Sequence, residues 1–294
     1  MKLELSTSTN LVAFIGDSDR LPIVDCIRIL ADGGFQVIDI NWCEAMNPCS
    51  RLRDDNWQAY VEEIAKLGEE LDLTYNQSHL PYYDIYRTKD SSKATLMEKL
   101  IERTIIANSI LKIPWAVTHP FTCYGESMQV SKERNLAYYS RHLETAASYG
   151  VGIALENDFV NPREPEMPIY CSQIEELIDL VDAFACESVG ICYDFGHANL
   201  MGANPREDLH KIGQRLKAIH IADNRGKEDE HILPFYGTVN WKEAMAGLRD
   251  IAYTKALTFE AQQFGRYYPK EAKALVVQHS LAVGRILQAY YQGV

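Results

Sequence analysis

Four short apolar segments of the chain each end on a residue that commonly binds metal ions. The segments end at Glu156, Asp194, His220 and Glu260, and each has the length and composition of a buried strand. Two glutamates, one aspartate and one histidine form a donor set suited to a divalent cation. Functional groups at strand ends are typical of parallel α/β barrels, which keep their chemistry at that face. The four residues therefore indicate both a fold and a metal-dependent activity.

Alternation along these segments predicts that the four metal-ligand residues share one side. Successive side chains of a strand point to opposite faces. A small residue stands two positions before each ligand residue, and large apolar residues occupy the positions between. The small residues are Ala154, Cys192, Ala218 and Thr258. We therefore expect the large residues to face helices and the four ligand residues to converge on a barrel axis.

A single buried carboxylate or imidazole is usually explained by a local hydrogen-bond partner. Four such groups fit that explanation poorly, because buried carboxylates repel one another and are costly to remove from water. A shared cation reduces both penalties. We therefore predict that Glu156, Asp194, His220 and Glu260 bind one divalent metal ion.

Strand-like and helix-like segments alternate along the whole chain. The predicted strands are residues 3–6, 36–41, 73–78, 116–119, 152–156, 190–194, 218–221 and 256–260. The predicted helices are residues 20–31, 54–71, 91–111, 132–149, 172–186, 206–215, 240–251 and 269–291. Eight such units predict an α/β fold, a single (β/α)8 TIM barrel in one domain of residues 1–294. An open doubly wound sheet is the alternative, but no Gly-x-Gly-x-x-Gly turn follows the first strand.

Two of the predicted helices carry recognisable start signals. Ser172 precedes Glu175 by three residues, which is the spacing of a capping box. Asn240 stands directly before Trp241, where an asparagine side chain can accept a hydrogen bond from the first helical turn. We expect both residues to cap the helices that follow them.

Composition limits the partners and the compartment. The formal net charge is −12, and such an acidic chain is a poor partner for nucleic acid. The seven cysteines include no Cys-x-x-Cys pair, which favours reduced thiols in the cytoplasm. The first residues lack the apolar stretch of a signal peptide, and no apolar run approaches the ~20 residues that span a membrane. We therefore expect a cytoplasmic protein without membrane contact.

Motifs at several predicted strand ends resemble those of the xylose-isomerase-like TIM-barrel superfamily. They lie at positions 118–120 (Thr-His-Pro), 155–157 (Leu-Glu-Asn), 193–197 (Tyr-Asp-Phe-Gly-His), 220–224 (His-Ile-Ala-Asp-Asn), 231–241 and 258–260 (Thr-Phe-Glu). The superfamily includes ketose 3-epimerases, sugar and sugar-phosphate isomerases, inosose-type dehydratases, C-glycoside-cleaving enzymes and endonuclease IV-type nucleases. The resemblance extends over essentially the whole chain and leaves the substrate open.

The resemblance to the sugar epimerases implies a role for each ligand residue. Glu156, Asp194, His220 and Glu260 match a single-metal site, for which Mn²⁺, Mg²⁺, Co²⁺ or Zn²⁺ is suitable. In those enzymes a metal stabilises an enediolate, while one glutamate removes a proton and the other returns it. By the same resemblance Glu156 and Glu260 are the catalytic pair. Asn157 and Arg225 are expected to bind hydroxyl groups or an oxyanion of a carbohydrate substrate.

Further residues complicate the single-metal interpretation. His79, His119, His197, Asp229 and His231 match additional ligands of the nuclease branch, so a second or third metal ion is chemically feasible. The preferred interpretation is that these residues orient the metal ligands or bind substrate. Tyr82 and Tyr83, in the loop after the third strand, are expected to pack on sugar C–H groups.

Other activities fit the same residues. The main alternative is a metal-dependent lyase, dehydratase or C-glycoside-cleaving enzyme that expels a leaving group from the same site. An endonuclease IV-type zinc nuclease is less favoured because the chain is acidic, and a non-catalytic sugar-binding subunit is the remaining alternative. The aromatic C-terminal segment with Tyr290 and Tyr291 is a candidate interface for a homo-oligomer.

Overall fold

The barrel strands follow one another around a single axis in chain order. The computed structural model describes residues 2–17, 19–85 and 88–294. Its parallel barrel strands are β1 Leu5–Ser8, β2 Val37–Asn41, β3 Thr74–His79, β4 Trp115–Thr118, β5 Gly152–Glu156, β6 Val189–Asp194, β7 Leu216–His220 and β8 Leu257–Phe259. Between β7 and β8, the amide of Ile221 donates to the Thr258 carbonyl at 2.8 Å, and the amide of Glu260 donates to the Ile221 carbonyl at 3.1 Å. These bonds close the ring, and the prediction of a (β/α)8 barrel is confirmed.

Each strand leads into a helix that packs outside the barrel. These helices are α1 Ile23–Gly33, α2 Trp57–Glu70, α3 Ser91–Ile110, α4 Met128–Ser148, α5 Ile174–Ala183, α6 Pro205–Ile212, α7 Trp241–Asp250 and α8 Lys273–Gln292. The connections add a turn of helix at Asn10–Ala13, a helix at Phe195–Leu200, a hairpin of Phe14–Ile15 with Asp19–Arg20, and 3-10 turns at Trp42–Met46, Arg51–Arg53, Gly213–Arg215 and Lys270–Ala272. In the part of the chain that the structure describes, no helix combines the length and apolarity needed to cross a bilayer.

The predicted boundaries agree well with the structure for the central strands and less well for the first strand and the first helix. Strand β1 begins and ends two residues later than expected, because Ser6 and Thr7 pair with both neighbouring strands despite their polarity. Helix α1 begins at Ile23 instead of at residue 20, because Arg20 pairs with Phe14 in the short hairpin. In α1 the buried Ile23, Ile27 and Leu30 recur at helical spacing and face the barrel core.

The interior of the barrel holds a small apolar layer that is separate from the main core. Val117, Ala154, Cys192 and Ala218 form this layer, and all four are buried. Large neighbours on the same strands, such as Ile153 and Tyr193, belong instead to the core between strands and helices. Cys192 is therefore a small core residue, as its position beneath Asp194 predicts.

The two C-terminal tyrosines, which were expected at an oligomer interface, both make contacts within the same chain. Tyr291 is buried, and its hydroxyl donates to the Tyr253 carbonyl at 2.7 Å within the same chain. Tyr290 is half-buried and packs edge-to-face with Phe235. Only Tyr290 of this pair is accessible to a partner, so homo-oligomerisation stays a prediction. One domain over residues 1–294 likewise stays our interpretation.

Candidate metal centre

Four predicted ligand residues meet at the C-terminal end of the barrel. Glu156, Asp194 and His220 are the last residues of β5, β6 and β7, and Glu260 follows β8 directly. One donor atom from each of the four lies within 4.8 Å of the donors of the others. All four are buried, which is uncommon for charged groups without compensation. We refer to Glu156, Asp194, His220 and Glu260 as the quartet.

The quartet contains buried oxygen atoms that accept no hydrogen bond from the described residues. His220 Nδ1 lies 3.0 Å from Glu156 Oε1 and 3.3 Å from Glu260 Oε2. Glu156 Oε2 and Asp194 Oδ2 are both buried and form no hydrogen bond with any described residue. Unmatched buried carboxylate oxygens are costly. A divalent cation would satisfy them, and the mixed oxygen and nitrogen donors fit such an ion.

Asp194 also organises the residues that follow it. Its Oδ1 accepts a hydrogen bond from the His197 amide at 2.8 Å and so caps the short helix Phe195–Leu200. The Asn157 side chain donates to the Asp194 carbonyl at 3.0 Å and accepts from the Asp194 amide at 2.7 Å. These bonds tie the end of β5 to the end of β6 and fix the backbone beneath the quartet.

Two further groups of donors flank the quartet. The first consists of His79, His119 and Glu156, which is shared with the quartet. His79 Nε2 lies 3.2 Å from His119 Nε2 and 3.7 Å from Glu156 Oε2. His119 Nε2 lies 3.5 Å from the same glutamate oxygen. We call these three residues the β3–β5 group.

The second flanking group consists of His197, Asp229 and His231. Their donor atoms also lie within 4.8 Å of one another, and His231 Nε2 is 2.8 Å from Asp229 Oδ2. Asp229 and His231 lie in the long connection after β7, which the buried Asp223 carboxylate organises. Asp223 accepts hydrogen bonds from the amides of Asn224, Phe235 and Val239 and from the Trp241 indole.

Backbone carbonyls orient three of the flanking histidines. Nδ1 of His79 is 2.7 Å from the Leu80 carbonyl, Nδ1 of His197 is 2.8 Å from the Asn157 carbonyl, and Nδ1 of His231 is 3.0 Å from the Glu260 carbonyl. A carbonyl accepts only, so each Nδ1 carries a proton, and when such a ring is neutral its lone pair lies on Nε2. This is the arrangement of many metal-binding histidines. The geometry thus supports additional ligand roles more strongly than the sequence did.

The electrostatics of the site follow from its burial. Burial lowers the pKa of His119 to about 3, which leaves its imidazole neutral near pH 7. Burial raises the pKa of Asp194 to about 6, against the opposing effect of His197. Burial also acts to raise the pKa of Glu156, but the neighbouring His220 imidazole, whose own pKa is raised, is the main opposing effect, and the pKa of Glu156 lies well below its usual value.

A cavity of about 290 Å³ opens onto this row of donors. His79, His119, His197, Asp229, His231 and Glu260 line it from the donor side. Tyr82 also lines it, with its ring edge-to-face against His119 at a centroid distance of 5.4 Å. A cavity of this size accommodates a molecule about as large as a monosaccharide.

Three of the expected substrate-binding residues lie elsewhere. Among the described residues that line the cavity, Tyr83, Asn157 and Arg225 do not occur. Tyr83 is buried, and Asn157 is engaged with the Asp194 backbone as described above. Arg225 is exposed and pairs with Glu230. Of the four residues expected to bind substrate, the structure therefore brings Tyr82 to the cavity.

Residues that the sequence did not single out also belong to the site. Asp39 in β2 lies behind His220, with Asp39 Oδ2 at 3.6 Å from His220 Nε2. Asn10, Asn41 and Gln262 line the cavity on the side of β8, β1 and β2. The charged Asp39 inside the otherwise apolar run Val-Ile-Asp-Ile is the one signal that was available in the sequence.

Sequence relatives include proteins of several activities. The uncharacterized protein y4fM of Sinorhizobium fredii is 24% identical over 262 residues, which cover 87% of this chain and 76% of that protein. A D-psicose 3-epimerase of Enterocloster bolteae is 34% identical over 86 residues, 29% of this chain and 27% of that enzyme. A probable endonuclease 4 of Methanoculleus marisnigri is 26% identical over 160 residues, 50% of this chain and 55% of that protein. The chain therefore spans only part of the two relatives with a named activity.

Solved structures share the fold over their whole length. D-Allulose 3-epimerase from Methylomonas sp. in complex with D-allulose superimposes with a TM-score of 0.71 at 18% identity, covering 99% of this chain and 97% of that one. The IOLI protein with a bound zinc atom gives a TM-score of 0.75 at 17% identity and 99% coverage of both chains. The family model described as xylose isomerase-like TIM barrel matches residues 27–281. The chain therefore belongs to the xylose isomerase-like TIM barrel family.

Proposed function

We propose that the protein is a divalent-metal-dependent isomerase or epimerase that acts on a small sugar by proton transfer. The observation that carries the proposal is the quartet, in which Glu156 Oε2 and Asp194 Oδ2 are buried without a hydrogen bond from any described residue and Glu260 lines a monosaccharide-sized cavity. The family membership and the likeness to sugar epimerases support it. The metal is expected in the quartet, with Mn²⁺, Mg²⁺, Co²⁺ or Zn²⁺ as candidates.

The two glutamates are proposed as the groups that move the proton. A cation in the quartet would polarise a sugar carbonyl and its neighbouring hydroxyl and so acidify the C–H bond between them. Glu156 and Glu260 approach the centre from β5 and β8, so one carboxylate can remove the proton and the other can return it. Glu260 lines the cavity, whereas Glu156 is fully buried among four imidazoles. Glu260 is therefore the better placed of the two to contact substrate.

The test is turnover of a ketose panel in deuterated water with the metal-loaded protein. We expect a new isomer that carries one deuteron at the carbon next to the carbonyl. A lyase, dehydratase or C-glycoside-cleaving activity would instead release water or an aglycone, which product absorbance and mass would reveal. Absence of metal binding together with absence of exchange on every sugar would remove the proposal and favour a non-catalytic sugar-binding role.

A second candidate is a metal-dependent nuclease of the endonuclease IV type. The observation that favours it is the row of three donor groups, in which Nδ1 of His79, His197 and His231 faces a backbone carbonyl and Nε2 is the nitrogen that could bind a metal ion. The acidic chain and the small cavity weigh against a nucleic-acid substrate. Metal analysis distinguishes one ion from three per chain, and a gel assay on DNA with an abasic site measures strand cleavage directly.

A further inference from the structure

We propose that Asn10, Asn41 and Gln262 form a hydroxyl-binding subsite that selects an uncharged, unphosphorylated sugar. This inference rests on the proposed function and names the substrate class of the same cavity. We call these three residues the amide wall. Asn41 ends β2, Asn10 follows β1, and Gln262 lies two residues beyond Glu260 after β8.

The amide wall stands across the cavity from the deepest metal-ligand residues. The hydrogen-bonded order of the strands places β1 and β2 opposite β5 and β6 in the ring. Glu156 and Asp194 end the latter two strands, so a sugar whose carbonyl end lies at the quartet extends its remaining hydroxyl groups toward the amide wall. Gln262 lies between the other two members of the amide wall and the quartet, two residues after the catalytic candidate Glu260.

Two of the three amides have NH2 groups without a partner among the described residues. Asn41 is 2% exposed, and its Oδ1 accepts from the Cys43 amide at 3.0 Å. Asn10 is 7% exposed, and its Oδ1 accepts from the Arg20 guanidinium at 2.8 Å. Because both partners are donors, they fix which end of each amide is oxygen. Neither NH2 group forms a hydrogen bond with a described residue, so both are available to a ligand.

Gln262 supplies the third unsatisfied group. Its Oε1 is buried and has no hydrogen-bond partner among the described residues. An unmatched buried amide oxygen is costly, so a ligand that donates a hydrogen bond to it relieves that penalty on binding. A sugar hydroxyl both donates and accepts, so hydroxyl groups of one sugar can satisfy Gln262 Oε1 as well as the NH2 groups of Asn10 and Asn41.

The charges of the cavity lining favour a neutral sugar over a phosphorylated one. No lysine or arginine occurs among the described residues that line the cavity, whereas Asp158, Asp229 and Glu260 do. A phosphate or carboxylate on the substrate would meet these acidic groups without a lysine or arginine to pair with. Neutral amide donors at the far wall suit hydroxyl groups instead. The substrate is therefore a free ketose or a similar polyol of monosaccharide size.

Affinity for neutral and phosphorylated sugars tests the subsite. The metal-loaded wild-type protein is titrated calorimetrically with a panel of free ketohexoses and ketopentoses and with their monophosphates. Asn41→Asp keeps the acceptor for the Cys43 amide and removes the donor that faces the cavity, and Gln262→Leu removes the unmatched oxygen. The exposed Asn56→Asp is the matched control, because the Asn56 side chain forms no cap bond. Circular dichroism and metal content check the fold and the metal site of each variant.

We expect the free sugars to bind wild type more tightly than their monophosphates by at least tenfold. Asn41→Asp and Gln262→Leu should each weaken binding of the free sugar by about 5- to 50-fold, the effect of losing one buried hydrogen bond. Tighter binding of the monophosphates, or wild-type affinity for the free sugar in both folded variants, would overturn the subsite. The proposed function would still stand if the wild-type protein exchanged deuterium into a sugar. A wild-type protein that neither binds nor exchanges any sugar overturns both.

Discussion

Asp39 Oδ2 lies 3.6 Å from His220 Nε2, and both side chains are completely buried. The other ring nitrogen, Nδ1, faces Glu156 and Glu260. The two atoms form no hydrogen bond at this distance, but the negative charge of Asp39 favours a proton on Nε2, and the lone pair of a neutral ring then lies on Nδ1, toward the other members of the quartet. Asp39 is thus placed to fix the tautomer and the ring orientation of His220.

The position of Asp39 depends on an irregularity between β2 and β3. The register shifts after Ile38, so Asp39 pairs with Gln77 instead of with Asn76. Gln77 Nε2 donates to Asp39 Oδ2 at 3.3 Å and to the Ile219 carbonyl at 3.3 Å. The bulge therefore provides the buried aspartate with a donor from inside the barrel and holds it against His220.

Replacing Asp39 by asparagine is predicted to weaken metal binding. The side chain keeps its size but loses the charge that favours the Nε2 proton of His220. Loss of such a supporting carboxylate typically reduces metal affinity by about 10- to 100-fold. Competition with a chromogenic chelator measures the metal dissociation constant without any activity assay. The exposed Asp32→Asn is the control, and an unchanged dissociation constant in a folded Asp39→Asn variant would contradict the role.

The two glutamates of the quartet are predicted to differ when each is changed to glutamine. Glu260 lines the cavity, so Glu260→Gln should lower proton exchange by about 10²- to 10⁴-fold, the usual contribution of a general base. Glu156 is shared by the quartet and the β3–β5 group, so Glu156→Gln should also reduce the metal content. Deuterium incorporation followed by NMR and metal analysis by mass spectrometry separate the two effects.

The exposed Glu126→Gln serves as the control for both glutamate variants. The prediction fails if Glu260→Gln exchanges protons at the wild-type rate. It also fails if Glu156→Gln, while folded, keeps the full metal content of the wild-type protein.

The barrel and the quartet could be predicted from the sequence because inward-facing and outward-facing residues alternate in the same way in β5 to β8. Each strand is short and apolar, and each has a small residue beneath its last polar one, so the side-chain period of two determines which residues point inward. The same rule failed at β1, where Ser6, Thr7 and Ser8 are polar yet fully buried. Ser6 Oγ donates to Asn76 Oδ1 at 2.8 Å and Thr7 Oγ1 to the Phe259 carbonyl at 3.5 Å, and such partners, far along the chain, are invisible in a single sequence.

The sequence did not predict the roles of residues whose partners are far away along the chain. Asp39 and His220 are far apart along the chain, and only the closed ring brings them together. The helix caps show the same limit: Asn240 accepts from the Glu243 amide as expected, whereas the predicted capping box at Ser172 is wrong. There Glu176 reaches back to the Cys171 amide at 2.9 Å, because α5 begins only at Ile174. Local spacing identified a helix start but not its register.

Lys255, at the end of the barrel opposite the quartet, is predicted to contribute to the pH dependence of stability. Lys255 Nζ donates to the Lys217 carbonyl at 2.7 Å and lies 5.0 Å from the centroid of the Trp115 ring. Burial, with some effect from the Lys217 charge, lowers the pKa of Lys255 from 10.5 to about 8. Between those two values the unfolded chain binds more protons than the folded one, so the free energy of unfolding rises with pH.

Comparison of wild type with Lys255→Met isolates this contribution. The difference in unfolding free energy, wild type minus variant, should increase as the pH rises from about 8 toward 10.5 and level off beyond it. Urea denaturation at several pH values gives the difference, with the exposed Lys66→Met as the matched control. A difference that stays flat over this range would show that Lys255 titrates alike in both states.

The contact between the first and last helices is predicted to depend on Gly33. A Cβ atom on Gly33 in α1 would lie 2.1 Å from Val277 Cγ1 in α8, far inside contact distance. Gly33→Ala should therefore destabilise the protein, because overpacking costs about 1–3 kcal/mol and exceeds the gain of about 1 kcal/mol that alanine brings to a helix. Val277→Ala removes the nearest clashing atom, Cγ1, and leaves the Val277 Cβ contact at 2.7 Å, so it relieves part of the clash. The double variant should then lose less stability than the sum of the two single variants, as measured by urea denaturation, whereas strictly additive losses would place the strain elsewhere.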